Sequence, residues 1–126
     1  MKMNESAENY LETIYILNKR RGSVRSIDIV HELNYSKPSV SVAMKHLREN
    51  GYIETDPDGY ITLTETGTAI AERMYERHTT ISDALVFLGV DRTIAAEDAC
   101  RIEHVISAES FRAIKSFFIK NAEKEK

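Results

Sequence analysis

The densest group of potential metal ligands in the sequence is the segment that contains Cys100, Glu103 and His104. On an α-helix, with about 100° of rotation per residue, these three side chains fall within about 100° of arc. Side chains spaced i, i+3 and i+4 can reach one ion, as they do in metal sites of helical bundles. An apolar face that includes Ala99 and Ile102 adjoins them, so a thiol, a carboxylate and an imidazole are predicted at the edge of a core.

The same three residues also have an ordinary structural interpretation. Cys100 would be a small buried thiol, Glu103 a solvated side chain, and His104 a capping or surface residue. The spacing alone does not decide between this interpretation and a metal site.

Two other segments carry side chains of the same chemical types. Asn9 and Glu12 are spaced i, i+3 on the first predicted helix, on the side opposite its apolar residues, and His78 lies on the long helix near Tyr75. The simpler interpretation is that Glu12 belongs to a solvated face and that His78 is a surface residue.

Apolar residues at helical spacing predict a mostly α-helical chain. The predicted helices cover 5–20, 24–33, a segment from about Pro38 to Asn50-Gly51, 65–88, 92–106 and 109–122. In the third helix the apolar positions are Val40, Val42, Met44 and Leu47.

Helix-starting residues support these boundaries. Ser26 is a candidate N-cap, and Pro38 suits the first turn of a helix, where its missing N–H is not needed. Thr64 is predicted to cap the long fourth helix, and Ser107 the last one, with Ser110 as an alternative start.

Two short β-rich runs flank the turn sequence Asp56-Pro57-Asp58-Gly59, which predicts a β-hairpin. A helix-turn-helix followed at once by a hairpin is the winged-helix arrangement, with the hairpin as the wing. The predicted fold class is therefore mostly α: an N-terminal winged helix-turn-helix with a two-stranded wing, followed by an α-helical dimerisation domain. The domains are predicted at 1–64 and 65–126.

Charge is unevenly distributed along the chain. The net charge is −3, but the segment 19–50 carries seven Lys or Arg against three acidic residues, so the local field favours a polyanion. A helix-turn-helix places the start of its second helix in the major groove. The predicted DNA-contacting residues are hydroxyl-bearing, basic or at that helix start: Arg25, Ser36, Lys37, Pro38, Ser39, Ser41 and Lys45.

No Arg suited to bidentate contact with guanine occurs in residues 36–47, so we expect DNA shape and van der Waals contact to supply much of the specificity.

The composition excludes several other classes of protein. The 126 residues are 42% hydrophobic and 29% charged, and they contain no apolar run near 18 residues, so no membrane span is predicted. The single cysteine excludes an intrachain disulfide, and no secretory signal is evident. A reducing, cytoplasmic location is expected, without a membrane partner or a small organic substrate.

Several motifs occur in the order found in one known family. They are Glu8–Tyr15 (ENYLETIY), Ser39-Val40-Ser41, Leu63–Gly67 (LTETG), Arg77-His78, Leu88–Asp91 (LGVD) and Ala99–Ser107 (ACRIEHVIS). On these residues the chain resembles the diphtheria-toxin-repressor and manganese-transport-regulator family of metal-dependent bacterial repressors, over nearly its whole length.

The resemblance implies a winged-helix DNA-binding domain, a helical dimerisation domain and a divalent-metal site between them. The family's metal positions fall on Asn9, Glu12, His78, Cys100, Glu103 and His104. Cys100 resembles the iron-responsive branch and Glu12 the manganese branch, whereas Asn9 departs from both. The family's optional C-terminal SH3-like domain is expected to be absent.

A homodimer is implied by the resemblance and favoured by a high apolar content after residue 80. These apolar residues are Ile81, Ala84, Leu85, Val86, Phe87, Leu88, Phe111, Ile114, Phe117, Phe118 and Ile119. A monomer of this size would bury all of them with difficulty, although an ordinary core takes some.

The ligand set predicts Mn²⁺ and/or Fe²⁺ as the cofactor, because carboxylates and imidazoles suit these ions. Co²⁺, Zn²⁺ or Ni²⁺ are expected as substitutes, because a thiolate favours them as well as Fe²⁺. One ion that joins the first helix to the second half would hold the two recognition helices of a dimer at the spacing of operator DNA. The predicted function is thus a metal-dependent repressor, not an enzyme, which controls metal-uptake genes.

Three other functions remain open on the residues alone. The first is a winged-helix regulator gated by a small molecule or by oxidation of Cys100, which would ignore chelators. The second is a small metallohydrolase, for which the sequence offers no nucleophile or zincin motif. The third is a winged helix that binds protein, without salt-dependent DNA affinity.

Overall fold

The computed structural model describes residues 4–124, and the outermost ends of the two predicted domains, 1–3 and 125–126, lie outside the described residues. Within 4–124 the elements are α1 (Glu5–Arg21), α2 (Ser26–Leu33), α3 (Lys37–Glu49), β1 (Ile53–Thr55), β2 (Ile61–Leu63), α4 (Glu65–Phe87), α5 (Arg92–Val105) and α6 (Ala108–Lys124). The mostly helical winged-helix prediction is confirmed. None of the helices in this part of the chain is long and apolar enough to cross a bilayer.

The chain forms two compact units, of which the first ends at Arg73 and the second begins at Met74. The first unit is built on α1, whose N-terminus is capped by the Asn4 side chain, which accepts a hydrogen bond of 2.8 Å from the Ala7 N–H. Leu11, Ile14 and Leu17 bury the predicted apolar face of α1 in the core.

The start of α2 differs from the prediction. Arg25, not Ser26, occupies the N-cap position, and the Asp28 carboxylate accepts a hydrogen bond of 2.9 Å from the Arg25 backbone N–H. In return, the Asp28 N–H donates a hydrogen bond of 3.0 Å to the Arg25 carbonyl. The acidic residue at position N3 thus satisfies the backbone N–H of the N-cap residue, as in a capping box. The helix therefore begins at Ser26, one residue earlier than a Ser26 cap requires.

The helix α3 begins as predicted. Ser36 is its N-cap, with its Oγ accepting a hydrogen bond of 3.2 Å from the Ser39 N–H, and Pro38 lies in the first turn. The helix is followed by Asn50 at the C-cap and by Gly51, whose φ is 79°. A positive φ is readily adopted by glycine, which has no Cβ, so the chain can turn sharply into the wing.

The wing is the predicted antiparallel hairpin of β1 and β2, in the register that pairs Ile53 with Leu63. Its turn is closed by the Asp56 carboxylate, which accepts hydrogen bonds of 2.9 Å from the N–H groups of Asp58 and Tyr60. The Ile61 N–H donates to the Val24 carbonyl at 2.7 Å. This bond attaches the wing to the segment that leads into α2.

Thr64 caps α4 as predicted, because its Oγ1 accepts a hydrogen bond of 3.2 Å from the Gly67 N–H. A side chain at Gly67 would overlap the Tyr52 carbonyl oxygen, so only glycine permits α4 to begin this close to the wing.

The second unit consists of the C-terminal part of α4 together with α5 and α6. Asp91 caps α5 by accepting from the Thr93 N–H at 3.0 Å, and Ser107 caps α6 by accepting from the Ser110 N–H at the same distance. The prediction of Ser107 as the cap is confirmed. Ile81, Ala99 and Phe111 form the centre of the small core of this unit.

Candidate metal centre and nucleic-acid interface

The central residue of the candidate metal centre is Glu103, which is fully buried although it carries a carboxyl group. It is on the same stripe of α5 as Ala95 and Ala99, which are also fully buried, because residues spaced by four share a helix face. The interpretation of Glu103 as a solvated side chain is therefore wrong. Isolated carboxylates are rarely buried, so this position requires charged or polar neighbours.

Two histidines lie on either side of this carboxylate. His78 Nδ1, on α4, is 3.2 Å from Glu103 Oε2, and His104 Nε2 is 3.2 Å from Glu103 Oε1. The His104 side chain is buried, whereas that of His78 is about one quarter exposed. The structure thus brings together three of the predicted metal ligands in the second unit, from two helices.

The end of α5 that carries Glu103 and His104 is held by Arg77. Its Nη1 donates hydrogen bonds to the backbone carbonyls of Glu103, at 3.1 Å, and Ile106, at 2.8 Å, and its guanidinium stands 5.6 Å from the centre of the Phe111 ring. Carbonyls in the last turn of a helix lack intrahelical partners, and the guanidinium supplies one. Arg77 therefore ties α5 to the helix that carries His78.

The chemistry of this group fits a divalent cation. A buried carboxylate between two imidazole nitrogens offers oxygen and nitrogen donors at one point, the combination that suits Mn²⁺, Fe²⁺ and Zn²⁺. A bound ion would also compensate the negative charge of a carboxylate held away from water.

Cys100 lies on the same helix but is exposed, with a free thiol. The interpretation of Cys100 as a buried thiol is wrong, because Ala99 occupies the buried position of that turn and Cys100 is rotated from it by about 100°. Its role as a metal ligand stays a prediction.

Asn9 and Glu12 lie on α1, in the first unit. Only 4% of Glu12 is exposed, so its interpretation as part of a solvated face is wrong. Asn9 is half-buried, and its backbone carbonyl accepts a hydrogen bond of 2.8 Å from Thr13 Oγ1. Asn9 and Glu12 belong to the first unit, whereas Glu103 belongs to the second. That these residues bind one shared ion therefore stays a prediction.

The predicted DNA-contacting residues of α3 and its cap are exposed: Ser36, Lys37, Pro38, Ser39, Ser41 and Lys45. The Ser36 hydroxyl donates to Ser39 Oγ at 2.8 Å, so these two hydroxyls are already ordered at the helix start. Lys45 lies 4.0 Å from Glu49, at the limit of an ion pair, and remains extended into solvent. The set forms a surface suited to a phosphate backbone.

Arg25 is placed by a contact that the sequence analysis did not identify. Its guanidinium lies 4.2 Å from the centre of the ring of Tyr60, the residue just before the wing strand β2. Cation–π contact orders an otherwise flexible side chain. Two neighbouring arginines are engaged elsewhere: Arg20 pairs with Glu32 at 3.0 Å, and Arg21 with Asp28 at 3.0 Å.

Val42 is an exposed residue of α3 that the sequence analysis did not assign to this surface. It is one of the predicted apolar positions of α3, but 55% of it is exposed, whereas Val40, Met44 and Leu47 are buried. Helical spacing alone indicates that Val42 is exposed, because positions 40, 44 and 47 share one face of the helix and position 42 is rotated by about 200° from Val40.

Comparison with protein families agrees with the two-part organisation of the chain. Residues 2–61 match the family model described as the N-terminal DNA-binding domain of iron-dependent repressors. Residues 64–124 match the model described as the metal-binding and dimerisation domain of the same repressors.

Individual relatives and solved structures are similar over most of the chain. An HTH-type transcriptional regulator of Methanocaldococcus jannaschii is 36% identical over 124 residues, which is 97% of this chain and 99% of the relative. The transcriptional regulator MntR of Escherichia coli is 34% identical over 120 residues, 95% of this chain and 77% of the relative. The structure of the manganese regulator SloR superposes with a TM-score of 0.79 at 27% identity, over 94% of this chain, which spans only 54% of that protein.

Proposed function

The chain belongs to the iron-dependent repressor family of metal-dependent transcriptional regulators, and we propose that binding of Mn²⁺ or Fe²⁺ switches on its binding to operator DNA. The observation that carries this proposal is the fully buried Glu103 carboxylate with an imidazole nitrogen 3.2 Å from each of its oxygens. The similarity to the manganese regulator SloR supports the choice of metal.

Six residues form the proposed ligand set: Asn9, Glu12, His78, Cys100, Glu103 and His104. When bound, the ion supplies a positive charge that offsets the clustered carboxylates. The helices α4 and α5 hold the side chains of Glu103, His104 and His78 close together. Arg77 fixes the last turn of α5. Cys100 must lose its proton to act as a ligand, which makes affinity depend on pH.

The two units carry complementary parts of this set, and this division is the basis of the proposed switch. Asn9 and Glu12 project from α1, the helix on which the helix-turn-helix core is built, while the other ligands belong to the unit matched by the dimerisation domain. An ion that is bound by ligands from both units would restrict the orientations available to the DNA-binding unit. A coupling of about 1–3 kcal/mol changes DNA affinity by roughly 5–150-fold.

The second unit carries an apolar groove that a second copy of the chain would cover. The groove, of about 410 Å³, lies between the end of α4 and α6 and is lined mainly by Phe87, Leu88, Ile114, Phe117 and Phe118. Leu88 is 71% exposed, whereas Ile81 and Phe111, from the same apolar set, are buried in the core of the unit. The family's C-terminal domain dimerises, so a homodimer through this groove is proposed.

In this proposal the chain is not an enzyme and has no small organic substrate, in keeping with relatives that are transcriptional regulators. The operator is double-stranded DNA, the regulated genes encode metal uptake, and the location is the cytoplasm, where such DNA is found.

The proposal is tested by fluorescence anisotropy with duplexes selected from a random-sequence library by the full chain in Mn²⁺. Chelator should lower affinity for the selected duplex by roughly 5–150-fold, and Mn²⁺ or anaerobic Fe²⁺ should restore it. Co²⁺, Zn²⁺ and Ni²⁺ are compared as substitutes. Binding that is equally tight with chelator and with metal would contradict the proposal and would favour a switch by a small molecule or by thiol oxidation.

A further inference from the structure

We infer that Val42 determines operator specificity by packing against the 5-methyl group of a thymine in each half-site. The inference rests on the proposed function, since it names the feature of DNA that the helix α3 recognises. The observation behind it is a large apolar side chain, 55% exposed, in the N-terminal half of that helix.

Val42 lies at the middle of the outer face of α3. Val40, Met44 and Leu47 bury the inner face, and at about 100° per residue Val42 points roughly opposite to them. Pro38, one turn earlier, and Lys45, nearly one turn later, share this outer face and are exposed. A helix that inserts its outer face into the major groove therefore presents Val42 to the base edges.

The neighbouring polar side chains are less suited to base recognition at this point. Residues 36–47 contain no Arg, Asn or Gln, so Lys37 and Lys45 are the only side chains in the segment of the types that form bidentate contacts with guanine or adenine. Lys37 and Ser41 line a groove shared with Ile27 and Val30 of α2, and the hydroxyls of Ser36 and Ser39 bond to each other. The outer face thus has an apolar centre with cations and hydroxyls around it.

The ligand chemistry follows from what the major groove displays. The only apolar group on a base edge there is the 5-methyl of thymine, and other bases present donors and acceptors that a valine would leave unsatisfied. Burying one methyl group changes affinity by about fourfold, so two symmetric half-sites give about tenfold or more.

Deoxyuridine substitution tests this contact, because it deletes only the methyl group. Each thymine of the Mn²⁺-selected duplex is replaced in turn, and anisotropy is measured with the wild-type chain and with Val42→Ala. For wild type, one symmetric pair of positions should lose about tenfold in affinity. For Val42→Ala, the thymine duplex should already bind about tenfold more weakly, and uridine at that pair should change affinity by less than about twofold.

Controls separate this contact from folding and from charge. Val42→Ala removes an exposed side chain from a helix, so the midpoint of thermal unfolding should stay within a few degrees of wild type. The slope of affinity against salt should also be unchanged, because no phosphate contact is lost. Ile94→Ala is the matched control: Ile94 is 52% exposed on α5, in the other unit, and its replacement should leave both duplexes bound as by wild type.

The outcomes distinguish this inference from the function on which it rests. Two results would overturn the inference alone, while DNA binding remains metal-dependent. In the first, no thymine position is sensitive to uridine substitution. In the second, the sensitivity persists in Val42→Ala. A wild-type chain whose DNA affinity does not respond to metal overturns the proposed function and this inference together.

Discussion

Arg77 and Glu103 are joined through the backbone: Nη1 of the guanidinium donates a hydrogen bond of 3.1 Å to the Glu103 carbonyl, while the Glu103 carboxylate faces two histidines. The same nitrogen donates to the Ile106 carbonyl at 2.8 Å. The contact sets the position of a proposed metal ligand without occupying its side chain. Such supporting contacts commonly change metal affinity by about 10–100-fold.

Replacing Arg77 should therefore weaken metal binding. Arg77→Met keeps much of the apolar stem but leaves two carbonyls without their donor, and we expect Mn²⁺ affinity to fall by about 10–100-fold. Calorimetric titration measures the affinity, and thermal unfolding in chelator measures the apo fold. Arg73→Met, one turn earlier on α4, removes an ion pair of 3.6 Å to Glu8, in which only the arginine is exposed, and should bind metal normally. Equal affinities for the two variants would exclude a positioning role for Arg77.

Glu103→Gln should separate metal binding from folding. The amide has the same shape as the carboxylate but no charge, so we expect Mn²⁺ affinity to fall by at least the roughly 10–100-fold that loss of a supporting residue costs, and metal-stimulated DNA binding to disappear. In chelator the variant should be at least as stable as wild type, because a buried carboxylate has been removed. Glu97→Gln, an exposed change on the same helix, is the control. Retained metal-stimulated DNA binding in Glu103→Gln would argue that the ion lies elsewhere.

Cys100→Ser tests whether an exposed thiol takes part in the site. If the thiolate is a ligand, the substitution should reduce affinity for Co²⁺ and Zn²⁺ more than for Mn²⁺, since soft sulfur favours the former. The Co²⁺ complex of the wild type should show a sulfur-to-metal charge-transfer band that the variant lacks. A Co²⁺ spectrum identical in the two proteins would remove Cys100 from the ligand set.

Lys45→Ala tests the phosphate-facing side of α3. Lys45 is exposed and only marginally paired with Glu49, at 4.0 Å, so its charge is available to DNA. Loss of one phosphate contact should weaken binding to all duplexes about equally and lower the slope of log affinity against log salt by about one unit. Lys115→Ala, which removes a lysine paired with Glu76 at 3.1 Å in the second unit, should leave the slope unchanged. An unaltered slope in Lys45→Ala would place this lysine away from phosphate.

Phe117→Glu tests the apolar groove as the dimer interface. Phe117 is 63% exposed at the groove, and a buried charge there is unfavourable only if a partner covers it. We expect sedimentation velocity to show monomers for this variant and dimers for wild type. Ile27→Glu places the same charge on an exposed apolar residue of the first unit and should remain dimeric. A dimeric Phe117→Glu chain would move the interface elsewhere.

The helices, the wing and most helix ends could be predicted from the amino-acid sequence, because periodicity, caps and turns depend on residues a few positions apart. Thr64 and Ser107 cap helices through contacts three residues away, and both predictions were correct. The family motifs also pointed to Glu103 and His104 before any geometry was known.

Which of the candidate site residues meet could not be predicted from the sequence, because it depends on contacts between distant segments. Arg77 contacts carbonyls 26 and 29 positions away, and His78 reaches Glu103 from another helix. The full burial of Glu103, the exposure of Cys100 and the stacking of Arg25 on Tyr60 likewise depend on how helices and wing pack. A helical pattern specifies the angle of a side chain about its own axis, but the neighbour on that side is chosen by packing between distant segments.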